Sequence, residues 1–160
     1  MVSGIHVKNA AIMTEQQRLS ETIGRWMEQQ DRFARLLGIK LQKVAPGYCQ
    51  VSLEVTRDML NAVGITHGGV TFALADFAFA VASNSHGKTA VAITAQINYP
   101  SASHAGDRLV AEAREASKTG RTGLYNIEVR TAENELIAMF TGTVYRRSDD
   151  VTTWIKGETL

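Results

Sequence analysis

Thirteen consecutive residues, 70–82, constrain this chain more than any other stretch. Eleven of them are apolar, and the exceptions are Thr71 and Asp76. On a helical wheel the apolar residues run around the whole circumference, which predicts a helix enclosed on all sides rather than one lying on a surface. The run is well short of the roughly 20 residues needed to span a bilayer, so protein must cover it. A sheet long enough to curl around one central helix does this economically, since each strand has a single apolar face to place.

The flanking sequence supplies such a sheet. Over residues 48–56, Val51, Leu53 and Val55 alternate with Gln50, Ser52, Glu54 and Thr56, the period of a strand with one face exposed. A preceding strand over 39–44 is expected to pair with it across the Pro46-Gly47 turn. Four more strands are expected over 89–99, 108–117, 122–131 and 136–145. The short breaks between them favour an antiparallel meander, because parallel neighbours need crossovers of a dozen or more residues. Before the sheet, Leu19, Ile23, Trp26, Met27, Phe33 and Leu37 recur at mostly helical spacing over 14–37, the pattern of an amphipathic helix, whole or broken in two, that ends at Gly38. The reading is therefore an α+β fold, a curled and mostly antiparallel sheet around a long central helix. It divides into a helical extension (1–37), the main domain (38–147) and a polar tail (148–160) with Trp154 and Ile155 as docking residues.

With 160 residues, the chain has the length of one domain with a real core. Its 17 Lys and Arg against 16 Asp and Glu are scattered rather than gathered into a stripe, which argues against a nucleic-acid partner. The single cysteine, Cys49, cannot form an intrachain disulfide and has no basic neighbour to activate its thiol, so it reads as packing. Residues 1–17 contain no continuous apolar segment of the secretory kind, and a cytoplasmic location is expected. His6, His86 and His104 have no second histidine or carboxylate at metal-ligand spacing, so no metal is expected.

Asp76 stands against its surroundings. A carboxylate among Leu74, Ala75, Phe77 and Phe79 has poor helix propensity and a large desolvation cost. It either pairs with an arginine or caps a loop, or it is a catalytic base or nucleophile made reactive by burial. Just before the helix, Thr66-His67-Gly68-Gly69 leaves the first turn without bulky side chains where its free N–H groups project. That is either a helix start chosen for tight packing or a site for an oxygen that gains negative charge, such as a thioester carbonyl.

Taken together, Asn61, His67-Gly68-Gly69, Phe72-Ala73-Leu74-Ala75-Asp76, Asn84-Ser85, Ala105-Gly106-Asp107 and Gly120-Arg121-Thr122-Gly123-Leu124-Tyr125 resemble the PaaI-type hotdog thioesterases over roughly residues 33–147. The resemblance implies hydrolysis of an acyl-CoA thioester, with phenylacetyl or hydroxyphenylacetyl as the acyl group. It implies that Asp76 activates water or attacks the thioester, that the Gly68 N–H polarises the carbonyl, and that Asn61 and His67 orient the substrate. Thr94 occupies a position where some relatives carry a serine near the leaving thiolate. Lys118 and Arg121, in a turn beside a strand edge, are candidates for the coenzyme A phosphates. No cofactor is implied, since coenzyme A is part of the substrate. The family pairs two sheets edge to edge in a homodimer with sites at the interface, and two dimers commonly form a tetramer. Gly68 and Asp76 are eight residues apart, about 12 Å along one helix at 1.5 Å per residue, so one chain can hardly bring both to the same thioester. The first 26 residues extend beyond many relatives and could close the pocket, pad the oligomer or cover a sheet face. Two other readings use the same fold: a non-catalytic acyl-CoA-binding module, which needs no buried carboxylate, and a hydratase, which needs a second acid–base group not found in the central helix.

Overall fold

The computed structural model describes residues 13–157. Residues 1–12 and 158–160 lie outside the described residues, and with them His6 and most of the segment read above for a leader. The order of elements is α1 (Glu15–Gln30), α2 (Arg32–Leu36), β1 (Lys40–Ala45), β2 (Tyr48–Glu54), a 3-10 turn (Arg57–Met59), α3 (Gly68–Asn84), β3 (Lys88–Asn98), β4 (Arg108–Lys118), β5 (Thr122–Thr131), β6 (Leu136–Asp150) and α4 (Val151–Ile155). Six strands form one sheet in the order β1-β2-β4-β5-β6-β3, with every neighbouring pair antiparallel. The central helix expected from the apolar run is α3, and the sheet curls around it.

Strand periodicity explains how the sheet grips the helix. Cys49, Val51 and Leu53 of β2, Leu109, Ala111 and Ala113 of β4, and Tyr125, Ile127 and Val129 of β5 are all buried at every second position. They meet Leu74, Ala75, Ala78, Phe79, Val81 and Ala82 of α3 in one core. Where β6 passes the helix the approach is so close that only glycine fits, because a Cβ on Gly142 would lie 2.6 Å from the Phe79 ring. Truncating a buried aromatic such as Phe79 would cost about 3–5 kcal/mol.

The break in the N-terminal helical region has a local cause at Asp31. Its backbone N–H closes α1 on the Met27 carbonyl at 2.9 Å, while its carboxylate accepts the Ala34 N–H at 2.8 Å and so starts α2. At the other end, α1 is anchored where Ser20 Oγ (2.9 Å) and Gln16 Nε2 (3.3 Å) donate to the Ser85 carbonyl, just beyond α3. The extension therefore runs back along α3, antiparallel to it, and delivers α2 to the start of that helix.

Three expectations need correction. First, α3 is not enclosed on all sides in the protomer. Gly69 is exposed and Ala73, Asp76 and Ala80 are half-buried, a stripe at helical spacing that the six strands do not reach. Second, the short 100–107 break does not join neighbours in a meander. β3 pairs with β6 and lies three positions from β4, about 14 Å across a sheet with roughly 4.8 Å strand spacing, which eight residues can span. Third, the polar tail begins with ordered structure: β6 continues to Asp150, and α4 follows, with Val151 buried and Trp154 Nε1 within 3.3 Å of both Thr89 Oγ1 and Asp149 Oδ2. No helix among the described residues is long and apolar enough to cross a membrane.

Candidate active site

The loop entering α3 is held from both sides. Leu60 and Thr66 form an isolated antiparallel bridge, and inside it the Asn61 carboxamide oxygen accepts N–H groups from Val63 (3.0 Å) and Ile65 (3.3 Å). His67 N–H donates to the Met59 carbonyl at 2.8 Å, tying the helix start to the 3-10 turn. On the opposite side the crossover holds it, with Thr66 N–H donating to the Ser103 carbonyl (2.8 Å) and Ser103 Oγ to Thr66 Oγ1 (2.7 Å). Asn61 thus spends its oxygen on the loop, leaving its NH2 as the group able to meet a ligand.

His67 caps the helix with its own ring. Its Nδ1 accepts the Gly69 N–H at 2.9 Å, which requires the neutral tautomer with the proton on Nε2, an exposed donor. Val70 N–H donates to the His67 carbonyl at 2.9 Å. Of these first-turn groups, the Gly68 N–H alone has no partner among the described residues. The Tyr99 ring lies across this turn: its hydroxyl donates to the Gly68 carbonyl at 3.0 Å, and a Cβ on Gly68 would sit 3.3 Å from Tyr99 Cζ. Tyr99 was not foreseen, since a lone tyrosine at a strand end carries no signal before the crossover is known.

Two turns further along the helix, Asp76 sits half-buried on the open stripe. It forms no hydrogen bond or ion pair among the described residues, so neither the arginine partner nor the loop-capping role is present. Burial pushes its carboxyl above the ordinary carboxylate value, and the Asp31 carboxylate at the α1–α2 junction pushes it in the same direction.

The remaining candidates lie elsewhere. Thr94 is exposed on β3, the free edge strand, at a break in the register with β6. Lys118 and Arg121 flank the exposed β4–β5 turn, toward the C-terminal end of α3 rather than beside Gly68. Lys118 Nζ is 3.4 Å from His86 Nδ1, and His86 Nε2 is 2.5 Å from Glu115 Oε2, which also accepts the Tyr125 hydroxyl at 2.8 Å. His86 therefore has a carboxylate partner that sequence spacing could not reveal, 29 positions away on β4. Cys49 is fully buried, and burial raises its thiol pKa well above the ordinary value, which removes it from nucleophilic chemistry. A concavity of about 620 Å³ lies on the outer sheet face among Glu112, Arg114, Glu128 and Arg130, away from Asp76 and the Gly68 turn.

A free N–H at a glycine helix start and an unpartnered carboxylate two turns later narrow the choice of family, and comparison with known proteins decides it. The sequence pattern of the Thioesterase superfamily matches residues 63–138, which contain both groups. The acyl-coenzyme A thioesterase PaaI of Escherichia coli is 37% identical over 126 residues, covering 79% of this chain and 90% of that protein. The chain belongs to the PaaI-type hotdog thioesterases. The E. coli PaaI structure superposes with a TM-score of 0.82 at 34% identity, covering 84% of this chain and 98% of that one. The Thermus thermophilus phenylacetic acid degradation protein PaaI, solved as a single-substitution variant, gives 0.70 at 44% identity over 72% and 98% of the two chains. A Streptococcus mutans protein solved with acetyl-CoA bound gives 0.67 at 27% identity over 69% and 89%. The reaction class of this hotdog protein is thioester hydrolysis.

Proposed function

We propose that this thioesterase hydrolyses acyl-CoA esters in sites shared between two chains and prefers a compact arylacetyl group such as phenylacetyl or hydroxyphenylacetyl. The carrying observation is that one helix, α3, presents a Gly68 N–H and a half-buried Asp76 carboxylate that have no hydrogen-bond partner among the described residues, Asp76 on its open stripe and Gly68 at its first turn. The Gly68 N–H donates to the thioester carbonyl oxygen and stabilises the charge that develops there during attack. His67 Nε2–H and the Asn61 NH2 orient the ester from the same turn. Asp76 of the partner subunit acts as general base toward water or as nucleophile, since along one helix the two groups stand about 12 Å apart and reaction needs contact at about 3–3.5 Å.

Support for the two-chain arrangement comes from what the protomer leaves open. β3 is an unpaired edge with Val91 and Ile93 exposed (44% and 57%), and the small residues of the α3 stripe invite close helix approach. Edge-to-edge pairing with a two-fold axis would use both, and a dimer of such dimers would give a tetramer. The arylacetyl preference is drawn from the E. coli relative, whose structure is described as coming from the phenylacetic acid degradation operon. In this reading Thr94 on the edge strand meets the leaving thiolate across that interface, and Lys118 and Arg121 meet coenzyme A phosphates.

Hydrolysis of an acyl-CoA panel, read as kcat/KM, tests this reading, because that ratio reports differential transition-state binding. Phenylacetyl-CoA should exceed palmitoyl-CoA by at least about tenfold. The reverse order would assign the protein to a different acyl class, and no hydrolysis of any ester would favour the non-catalytic binding module.

A further inference from the structure

Two clefts flank the first turn of α3, and they differ in size and lining. The smaller, about 180 Å³, is bordered by Ile65 and Ile137 but also by the amide and hydroxyl groups of Asn61, Thr66, Tyr99 and Ser103. The other, about 310 Å³, is walled by Phe33 and Leu37 of the N-terminal extension, by Met59 and Leu60 after the 3-10 turn, and by Val70. His67 and Gly69, the residues on either side of the Gly68 N–H, also line it. Phe33 keeps 59% of its surface exposed there, an unusual cost for an aromatic side chain.

We propose that this apolar cleft is the acyl-group subsite, and that Phe33 and Leu37 of α2 set how large an acyl group the enzyme accepts. The inference rests on the thioesterase reading above and deepens it. A thioester whose carbonyl is held at Gly68 has two substituents, the acyl group and the pantetheine sulfur, and two clefts to receive them. The apolar substituent belongs in the apolar cleft. The exposed carboxylate of Asp58 on the same cleft disfavours acyl groups that end in a carboxylate, so the class is uncharged and apolar. About 310 Å³ lies at the lower end of cavities that hold small organic ligands, about 300–1,000 Å³, which suits a ring or short branched chain rather than a long alkyl tail.

The walls are rigidly placed. α2 is started by the Asp31 cap and ended by the Ile39 N–H donating to the Ala34 carbonyl at 2.9 Å, while the Met59 carbonyl accepts the His67 N–H. The subsite and the catalytic turn therefore share a backbone hydrogen bond, and a change in the acyl group is felt at the carbonyl. The extension thus acquires a role in substrate choice.

Leu37→Trp and Phe33→Ala test the assignment, with Leu36→Ala as control because Leu36 is 78% exposed and lies outside the cleft. The readout is the ratio of kcat/KM for phenylacetyl-CoA to that for butyryl-CoA, with oligomer size checked by light scattering. Leu37→Trp, which fills the cleft, should lower this ratio at least about tenfold, the scale of a misfit in an apolar pocket. Phe33→Ala, which opens it, should raise kcat/KM for decanoyl-CoA relative to butyryl-CoA, and Leu36→Ala should leave both ratios alone. Unchanged ratios in Leu37→Trp and Phe33→Ala, or equal loss on every ester, would overturn the subsite while leaving the thioesterase reading intact. If Leu37→Trp fails to fold or to assemble, Phe33→Ala decides alone. A wild-type protein inactive on every acyl-CoA ester would overturn the thioesterase reading itself.

Discussion

At the C-terminal end of α3, Asn84 exchanges three hydrogen bonds with Ala80 and Ala90, and Ser85 accepts the Gly47 N–H while its carbonyl takes donors from Gln16 and Ser20. Glu115 there gathers both His86 and the Tyr125 hydroxyl. At the N-terminal end and along the open stripe, the Gly68 N–H and the Asp76 carboxylate have no such partners among the described residues. One helix thus joins a region whose polar groups are satisfied by the fold to one whose polar groups are left for a ligand. Satisfied groups hold the fold together, and groups left unpaired in a folded protein call for an explanation by function.

The carboxylates of the two regions, Glu115 and Asp76, have opposite pH signatures. Burial raises Glu115, but the bonds from Tyr125 and His86 and the nearby His86 and Lys118 charges outweigh it, so its carboxyl lies below the ordinary value. Its contribution to stability is present above the unfolded-state pKa and is lost as pH falls through the folded one. Asp76 is raised, so it favours the fold when protonated, and that contribution is lost as pH rises through its folded value.

The largest expected effect separates the ends directly. Asp76→Asn should lower kcat by at least about a hundredfold, the scale of lost acid–base assistance, without lowering the thermal midpoint at neutral pH. Any gain in midpoint should vanish below the ordinary carboxylate pKa of about 4. Near-normal turnover would remove Asp76 from the chemistry. Glu115→Ala should do the converse: it strands a buried tyrosine hydroxyl at a cost of about 1–3 kcal/mol in urea unfolding, while turnover per folded molecule changes little. A large loss of turnover with unchanged stability would mean that the closed end is functional after all.

Smaller effects sharpen the open end. Tyr99→Phe removes one hydrogen bond that positions the Gly68 turn, worth about 0.5–1.5 kcal/mol, so kcat should fall about two- to tenfold with KM nearly unchanged. Asp31→Asn keeps the α2 cap but removes the charge beside Asp76. The acid limb of kcat/KM should then move to lower pH, by less than the displacement that burial causes, since burial is the larger influence on Asp76. A limb that stays in place would detach Asp31 from the site.

Much of this was legible in the sequence, for reasons that particular residues show. The Val51, Leu53, Val55 alternation and the apolar run around Leu74 and Phe79 are local periodicities that survive folding, and they led to the strands and to α3. Asp76 and Gly68 were conspicuous because each is costly in its local setting. What depended on distant pairing was hidden. Nothing near residues 100–107 says that β3 joins β6 instead of β4, and without that crossover neither the Tyr99 contact with Gly68 nor the Ser103 contact with Thr66 could be foreseen. The His86–Glu115–Tyr125 group was hidden in the same way, being assembled from three elements. The open stripe on α3 was missed because composition reports apolarity, not which face a six-stranded sheet fails to reach.

The central claim is that one working site needs Gly68 from one chain and Asp76 from another, and mixed oligomers test it most directly. Asp76→Asn removes the carboxylate and Gly68→Pro removes the N–H. Proline suits the first helical position, and His67 already has the extended backbone that a residue before proline prefers, although the Tyr99 ring must yield a few tenths of an ångström. Each variant alone should be inactive. After random exchange of equal amounts about half the dimers are mixed, each with one intact site, so activity should return to roughly a quarter of the wild-type level. No recovery, with labelled chains showing exchange and circular dichroism showing a folded proline variant, would contradict a site built across two chains.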